Sequence, residues 1–290
     1  MTRPDGRVQA IAQAFEAACR DELAAPKPGN VHVFAGGHRM TAEDFERSAH
    51  VAAGPLTAAG ARVGARILGA VEATVAAVGA NTNLGIVLLC APLAKAAEMP
   101  GGDLRASLAA VLRDLDVEDA ALAFRAITRA APAGLGRAEK HDVFAPATVT
   151  LREAMAEAAR YDRIACQYVS DFADVFDLGL ARRAASRAAL ADPRLATLMI
   201  YLGFLAAFRD SHIVRKHGEA TADRIREQAS ILQRRVDDAH SLDAVLPELL
   251  AWDAALKREG VNPGTSADLT VATIFTQRLR CILPPAVNSG

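Results

Sequence analysis

Residues 83–98 read NLGIVLLCAPLAKAAE, and this stretch decides the fold class. Apolar side chains occupy almost every position, so a helix here is expected to be central and buried on most sides. Its longest apolar run, Leu84 to Ala94, contains a proline and is too short to span a bilayer. The stretch therefore predicts the central helix of a globular protein.

The rest of the chain also has the periodicity of helices. Alanine is abundant, aromatic residues make up 5% of the chain, and β-branched runs are short. Thr41–Asp44 reads as a capping box that opens a helix. Because no strand–helix alternation and no GxxxxGKS/T or GxGxxG motif is present, the sequence predicts an all-α fold rather than a Rossmann or P-loop sheet.

The periodicity sets the expected helix boundaries and the domain organisation. Further helices are expected near residues 60–78, 103–113, 117–130, 150–160, 162–175, 178–190, 193–217, 219–238, 241–258 and 265–282. The longest break is 131–149, which contains two prolines and two glycines and could separate two halves. We prefer one multi-helix, bundle-like domain over residues 1–290, because polar motifs lie on both sides of the break.

Composition narrows the class of partner and the compartment. The chain has 33 Lys plus Arg against 34 Asp plus Glu, a net charge of -1, and this gives no general reason to expect nucleic-acid or membrane binding. Its four cysteines are scattered and form no CxxC pair, so neither a zinc site nor a disulfide framework is indicated. Residues 1–7 are polar, and we expect no signal peptide and a cytoplasmic protein.

The most informative polar stretch is residues 262–269, NPGTSADL, a turn that opens directly into a helix. Pro263 and Gly264 reverse the chain, and Thr265 or Ser266 is expected to cap the helix. Backbone N–H groups at such an end bind phosphate oxygens, and Asp268 could hold the accompanying Mg²⁺. The alternative is ordinary helix-end architecture with an acid in the first turns.

Three other polar stretches lie at predicted loops or helix ends. They are APKPGNVH at 25–32, GANTNLG at 79–85, and the acid and basic cluster from 210 to 218. If helix ends meet in a bundle, these stretches can line a polar pocket. Together with Gly264, Ser266 and Asp268, the candidate residues are Lys27, Gly29, Asn30, His32, Asn81, Thr82, Asn83, Asp210 and Lys216.

Each of these stretches has a functional interpretation and a structural alternative. Lys27, between two prolines, is a pre-ordered phosphate clamp or a solvated surface lysine. The amides and hydroxyl of 81–83 could bind a sugar or a base, or Asn81 or Thr82 could cap the buried helix. Asp210 is a candidate metal ligand or part of a surface ion-pair set.

Taken together and in this order, the four stretches resemble the triphosphoribosyl-dephospho-CoA synthase family. These enzymes make the prosthetic-group precursor of citrate lyase and malonate decarboxylase. The resemblance extends from about residue 20 to about residue 280 and implies an all-α fold. It implies that a ribose hydroxyl of dephospho-CoA attacks C1 of the ATP ribose, that adenine leaves, and that the triphosphate stays on the transferred ribose.

The resemblance also implies roles for the candidate residues. Mg²⁺ would accompany the triphosphate, with Asp210 and Asp268 as candidate ligands and Lys27 as a cation. The attacking hydroxyl needs a base, for which Asp142, Glu72 and His212 are candidates. The turn at 81–83 could donate hydrogen bonds to the departing adenine. The oligomeric state is open, with a homodimer among the alternatives.

Two departures from the family pattern bear on the substrate. The family usually has Asn-Thr-His-Lys-Gly, and this chain has Asn83 and Leu84 in place of the His and the Lys. The family usually has Asp-Thr-Asn, and this chain has Ser211 and His212 in place of the Thr and the Asn. A related branch with Lys-Pro-Gly-Asn-Val-His, as at residues 27–32, and Asn-Thr-Asn, as at residues 81–83, occurs in organisms that make methanopterin-type one-carbon cofactors. A phosphoribosyl-type transferase acting on a pterin precursor is therefore the first alternative, and a non-catalytic, nucleotide-binding helical protein is the second.

Overall fold

The computed structural model describes residues 4–37, 40–132, 136–137, 140–185 and 191–283. These residues contain fourteen α-helices and no strand, so the predicted all-α fold is confirmed. The described residues pair in β geometry only at two isolated bridges, His32 with Ala35 and Gly37 with Met40. Within these ranges no helix combines the length and the apolar character needed to cross a membrane.

The helices follow one another along the chain, with the longest connections before α2 and before α7. The first eight are α1 (Pro4–Ala24), α2 (Ala42–Leu56), α3 (Val63–Val78), α4 (Leu84–Glu98), α5 (Leu104–Arg113), α6 (Val117–Ala130), α7 (Leu151–Ala158) and α8 (Arg163–Val169). A π-helical segment, Asp174–Gly179, then leads into α9 (Leu180–Ala184). The last five are α10 (Pro193–Ala207), α11 (Ser211–His217), α12 (Glu219–Asp237), α13 (Leu246–Arg258) and α14 (Gly264–Ile282).

The chain divides into two compact units. Unit 1 comprises residues 1–18, 46–172 and 275–290, and unit 2 comprises residues 19–45 and 173–274. The division does not coincide with the predicted break at 131–149, whose described residues form no helix. Residues 133–135 and 138–139 of that break lie outside the described residues. The single-domain organisation stays a prediction.

Unit 1 contains the helix that the sequence marked as central. In α4, twelve of the fifteen residues are buried, which confirms the expectation for this apolar stretch. The Tyr168 hydroxyl donates to the Leu88 carbonyl of α4 at 2.7 Å. At Gly64 of α3, a Cβ would lie 2.6 Å from the Asp119 carbonyl oxygen, so the absence of a side chain lets α3 and α6 pack closely.

Unit 2 has its own hydrophobic core around α10. Residues 195–205 of α10 are all buried, and they pack with apolar residues of α11, α12 and α13. Leu198 and Leu202 of α10, Ile225 of α12 and Leu249 of α13 are fully buried members of this core. This packing fixes the ends of the unit 2 helices, where most of the predicted site residues lie.

Three predicted helix boundaries are wrong for local reasons. The expected helix 193–217 is two helices, because Phe208 is extended and Asp210 caps a new start. The expected helix 162–175 ends at Val169, and Asp171 and Phe172 follow with positive φ angles. Of the expected helix 178–190, the structure has α9 to Ala184, and residues 186–190 lie outside the described residues.

Candidate functional site

The first polar motif is buried, and its lysine uses all its donors within the protein. The Lys27 ammonium, with no exposed surface, donates to the Glu22 carboxylate, to Asn30 Oδ1 at 3.0 Å and to the Val31 carbonyl at 2.7 Å. We call Glu22, Lys27, Asn30 and Val31 the Lys27 network. Burial lowers the pKa of Lys27 and raises the pKa of Glu22, and the attraction between the two charges opposes both shifts.

The Lys27 network fixes the shape of the loop. The alternative of a solvated surface lysine is wrong, because the ammonium is fully enclosed. An ammonium has three donors, and each has an acceptor here, so a phosphate would have to replace one of these acceptors. A phosphate contact through Lys27 stays a prediction.

The same loop lies directly against the 262–268 turn. Gly29 has a φ of +83°, and a Cβ at this position would lie 2.8 Å from Cδ of Pro263. Asn30 Nδ2 donates to Asn262 Oδ1 at 2.8 Å. The Tyr201 hydroxyl of α10 donates to the Pro28 carbonyl at 2.7 Å and supports the loop from the core side. Two motifs separated by more than two hundred residues therefore meet in unit 2.

A second charged group adjoins this loop. The Asp253 carboxylate accepts from the Gly29 N–H at 2.9 Å and from the Lys257 ammonium at 2.9 Å, and its Oδ1 lies 3.4 Å from Nε2 of His32. Lys257 also donates to the Ala35 carbonyl at 3.0 Å. We call His32, Asp253 and Lys257 the His32 network. Its cation is partly accessible, since the Lys257 side chain is 15% exposed.

The His32 network has unfilled hydrogen-bonding positions. Among the described residues, neither ring nitrogen of the buried His32 has a hydrogen-bond partner, and the ammonium of Lys257 has two acceptors for three donors. Burial lowers the pKa of His32 below 6.5. Burial also opposes ionisation of Asp253, but the nearby His32 ring and the hydrogen bonds from Lys257 and the Gly29 N–H outweigh it, so the pKa of Asp253 is lowered from its ordinary value.

Asp210 joins two helix starts. Its Oδ1 accepts from the N–H groups of His212 at 2.9 Å and Ile213 at 3.2 Å. Its Oδ2 accepts from the N–H and from the hydroxyl of Ser266, both at 2.8 Å. We call this arrangement the Asp210 clamp. Burial raises the pKa of Asp210 above 3.8 despite these four donors, and the surface ion-pair alternative is wrong because the carboxylate is fully buried.

The expected caps of the last helix have other tasks. Helix α14 begins at Gly264, so Thr265 and Ser266 lie inside it and the predicted capping role is wrong. Thr265 Oγ1 accepts from the His212 N–H at 3.2 Å, and Ser266 donates to Asp210. A Cβ on Gly264 would lie 2.4 Å from Nδ1 of His212. The side chains thus tie the start of α11 to the start of α14.

Asp268 lies in the second turn of α14 and is half-buried. Its charge favours protonation of Lys27, so the two groups are close enough to attract each other. Among the described residues no group of three or more His, Cys, Asp and Glu side chains is arranged to hold a metal ion. An Mg²⁺ ion that arrives with a nucleotide brings phosphate oxygens as ligands of its own, and its binding stays a prediction.

The turn at 81–83 belongs to unit 1 and is held by neutral groups. The Thr82 hydroxyl donates to Ser48 Oγ at 2.6 Å, and Asn83 Nδ2 donates to Thr74 Oγ1 at 3.0 Å. Asn81 Oδ1 accepts from the Leu84 N–H at 3.1 Å, so its side chain stabilises the start of α4. The N-cap of α4 is Asn83, so the predicted N-cap role of Asn81 or Thr82 is wrong. A substrate role for this turn stays a prediction.

The remaining candidates lie at less enclosed positions. Glu72 is exposed on α3, and Asp142 accepts from the Phe144 N–H at 2.8 Å within its own turn. Lys216 is exposed in the last turn of α11. His212 is half-buried at the start of α11. Their catalytic or binding roles stay predictions.

Sequence reasoning missed Glu22, Asp253 and Lys257. The signal was available in the helical pattern, because Asp253 lies on the same helical face as the buried Leu249 and Leu256. A carboxylate on an apolar face requires a buried partner. Glu22 likewise follows Phe15 and Ala18, both fully buried, on one face of α1.

Comparisons with known proteins bear on the family and the fold. A family model described as CitG, ATP:dephospho-CoA triphosphoribosyl transferase, matches residues 8–284. A comparison with curated proteins finds no match. Among solved structures, one named "putative triphosphoribosyl-dephospho-coA synthase from Archaeoglobus fulgidus" is similar with a TM-score of 0.62 and 24% identity. The match covers 79% of this chain and 95% of that chain, and at this identity it supports the fold alone. Because the family model spans nearly the whole chain, the protein belongs to the CitG family of ATP:dephospho-CoA triphosphoribosyl transferases.

Proposed function

We propose that the protein transfers the triphosphoribosyl group of ATP to a ribose hydroxyl of dephospho-CoA and releases adenine. Membership of a transferase family disfavours the alternative of a non-catalytic nucleotide-binding protein. One observation carries the proposal furthest. The Lys-Pro-Gly loop touches the 262–268 turn at Gly29 and Asn30, and this contact unites the two motifs that best match the family.

The triphosphate is the most highly charged part of the substrate and needs cations and N–H donors. Helix α14, nineteen residues long, directs the positive end of its dipole to the turn at Gly264. Lys257 adds a partly exposed ammonium with one N–H to spare among the described residues. We assign the triphosphate to this region, with the ion pair of Lys27 and Glu22 holding the loop in shape.

Mg²⁺ enters as part of the Mg·ATP substrate. Asp210 is a poor ligand for it, because both carboxylate oxygens already accept two hydrogen bonds each. Asp268 is half-buried and lies one turn further along α14. We therefore assign contact with the nucleotide-bound Mg²⁺ to Asp268, and we assign to Asp210 the task of holding α11 against α14.

A second candidate function differs from the first in the acceptor substrate. His212 stands where the family usually has Asn, and its ring lies over Gly264 at the start of α14. A bulkier, titratable side chain at this turn alters the edge of the proposed site. This observation favours an acceptor related to, but different from, dephospho-CoA, and a pterin precursor is the alternative that the sequence suggests.

Mass spectrometry of the reaction products tests both acceptors. The protein is incubated with Mg·ATP and either dephospho-CoA or a pterin precursor that carries a hydroxyl. The proposal predicts free adenine together with an acceptor that has gained a triphosphoribosyl group. Adenine formed only with the pterin precursor supports the second candidate, and a lack of adenine with every acceptor overturns the assignment of the reaction.

A further inference from the structure

The least explained group in unit 2 is the imidazole of His32. It is 1% exposed, and neither ring nitrogen has a hydrogen-bond partner among the described residues. Burying a polar group without a partner is costly, so such a group in a native fold calls for a bound molecule or a chemical role. His32 is also close to the surface, because the ring of Phe34, 42% exposed, lies 5.9 Å from it.

Asp253 is the charged group that faces this imidazole. Its Oδ1 lies 3.4 Å from Nε2, so we assign the ring proton to Nε2, which leaves the lone pair of Nδ1 without a donor among the described residues. Asp253 itself is fixed by the Gly29 N–H and by Lys257. A neutral imidazole with one nitrogen facing a carboxylate and the other without a hydrogen-bond partner has the form of a general base.

Charges around the ring keep it in the basic form. Burial disfavours the imidazolium, and the cations Lys257 and Lys27 add to this effect, while Asp253 opposes it. Together these effects lower the pKa of His32 below 6.5, so the ring is neutral at physiological pH. A base must be unprotonated before the reaction, and this environment meets that condition.

We propose that His32 is the general base that takes the proton of the acceptor hydroxyl, with Asp253 as its positioning residue. The inference rests on the proposed triphosphoribosyl transfer. The hydroxyl oxygen forms a bond to C1 of the ATP ribose while the C1–N9 bond to adenine breaks. The hydroxyl proton passes to Nδ1 of His32, the electron pair of the broken bond stays on adenine, and adenine takes up one proton. His32 then returns its proton to solvent.

The other candidate bases have less suitable surroundings. Asp142 accepts a hydrogen bond from Phe144 in its own turn, and Glu72 is exposed on α3. His212 lies beside Gly264 at the start of α11, where its N–H contributes to the Asp210 clamp. Of the four, His32 alone has both a facing carboxylate and, among the described residues, a ring nitrogen without a hydrogen-bond partner.

Kinetics of adenine release test the inference. His32→Gln and His32→Ala are expected to lower kcat by roughly 10²- to 10⁴-fold, the usual contribution of a general base, with little change in KM for Mg·ATP. Added imidazole should restore part of the rate of His32→Ala. Asp253→Asn should lower kcat less than the His32 variants do. It should also shift the acid limb of the pH profile of kcat, because the ring loses its orienting charge. The exposed His240 provides the control His240→Ala, which keeps the wild-type rate.

The possible outcomes separate the two proposals. Wild-type protein that releases adenine, with His32 variants that retain its rate, overturns the assignment of the base and leaves the transferase reaction in place. The assignment of the base also fails if His32→Ala loses its rate without imidazole rescue and Asp253→Asn leaves the acid limb of the pH profile unchanged. A purely structural histidine would give these results. Wild-type protein that releases no adenine overturns the reaction itself, and the base with it.

Discussion

The Lys27 network and the His32 network are neighbours in unit 2, yet their hydrogen bonding differs. Lys27 is fully buried, and each of its three donors has an acceptor. Lys257 is partly exposed and has two acceptors for its three donors, and neither ring nitrogen of His32 has a hydrogen-bond partner among the described residues. The lysine most visible in the motif therefore shapes the loop, whereas we propose that the groups with unsatisfied hydrogen-bonding positions meet the substrate.

The largest effect is expected from breaking the Lys27 network. Lys27→Met leaves the Glu22 carboxylate buried without its counter-charge, and this should cost about 3–5 kcal/mol of unfolding free energy. Urea unfolding measures the loss. The double variant Glu22→Leu/Lys27→Met is the matched control and should recover most of the stability, because both charges are gone. Equal losses in the single and double variants would contradict a structural ion pair.

A smaller loss is expected at the Asp210 clamp, which extends the comparison to a buried group held by neutral donors. Asp210→Ala leaves the N–H groups of His212, Ile213 and Ser266 without an acceptor, at about 1–3 kcal/mol for a buried unsatisfied group. Asp103 caps α5 in solvent and is the control, with an expected loss of about 1 kcal/mol for Asp103→Ala. Thermal melting compares the two, and equal shifts would argue against the clamp.

Lys257 should matter for substrate more than for folding. Lys257→Met removes one charged hydrogen bond to the triphosphate, so KM for Mg·ATP should rise roughly 10- to 150-fold, corresponding to about 1.5–3 kcal/mol. The exposed Arg258 on the next position of α13 is the control, and Arg258→Met should leave KM unchanged. If both variants raise KM equally, a general loss of positive charge explains the effect and the assignment of Lys257 fails.

The smallest effect is a pH dependence of stability. The pKa of folded His32 lies below 6.5, so the unfolded chain binds this proton first as the pH falls. The contribution to unfolding free energy is therefore complete above pH 6.5 and decreases as the pH falls from 6.5 towards the folded pKa. Urea unfolding at about pH 7.5 and about pH 5.5 should give a smaller decrease for His32→Gln than for wild type or for His240→Ala.

The sequence predicts the fold better than it predicts the site. The nearly continuous apolar run in 83–98 correctly predicts a buried α4, and the Lys-Pro-Gly and 262–268 motifs do meet. The break at Asp210 was missed, because a side chain that caps one helix while binding another cannot be seen in local periodicity. Asp253 lies on an apolar helical face, but its contacts with Gly29 and His32 span more than two hundred positions and cannot be read from the local pattern.

The roles of individual residues depended on burial, which a motif does not reveal. Lys27 between prolines is compatible with both a phosphate clamp and a structural ion pair, and only its three acceptors distinguish them. Asp210 similarly has the spacing of a metal ligand but the surroundings of a double helix cap. Long-range contacts decide such cases, since local sequence fixes residue type and not environment.

The most direct test of a nucleotide site at the start of α14 is a calorimetric titration of Mg·ATP into wild type and Asp268→Asn, with melting curves for both. If Asp268 contacts the nucleotide-bound Mg²⁺, loss of the carboxylate should weaken Mg·ATP binding by roughly 1.5–3 kcal/mol, as for a lost interaction with a charged group, with little change in melting temperature. Unchanged affinity with a lowered melting temperature would make Asp268 an ordinary helix-end acid and would contradict a nucleotide site at the start of α14.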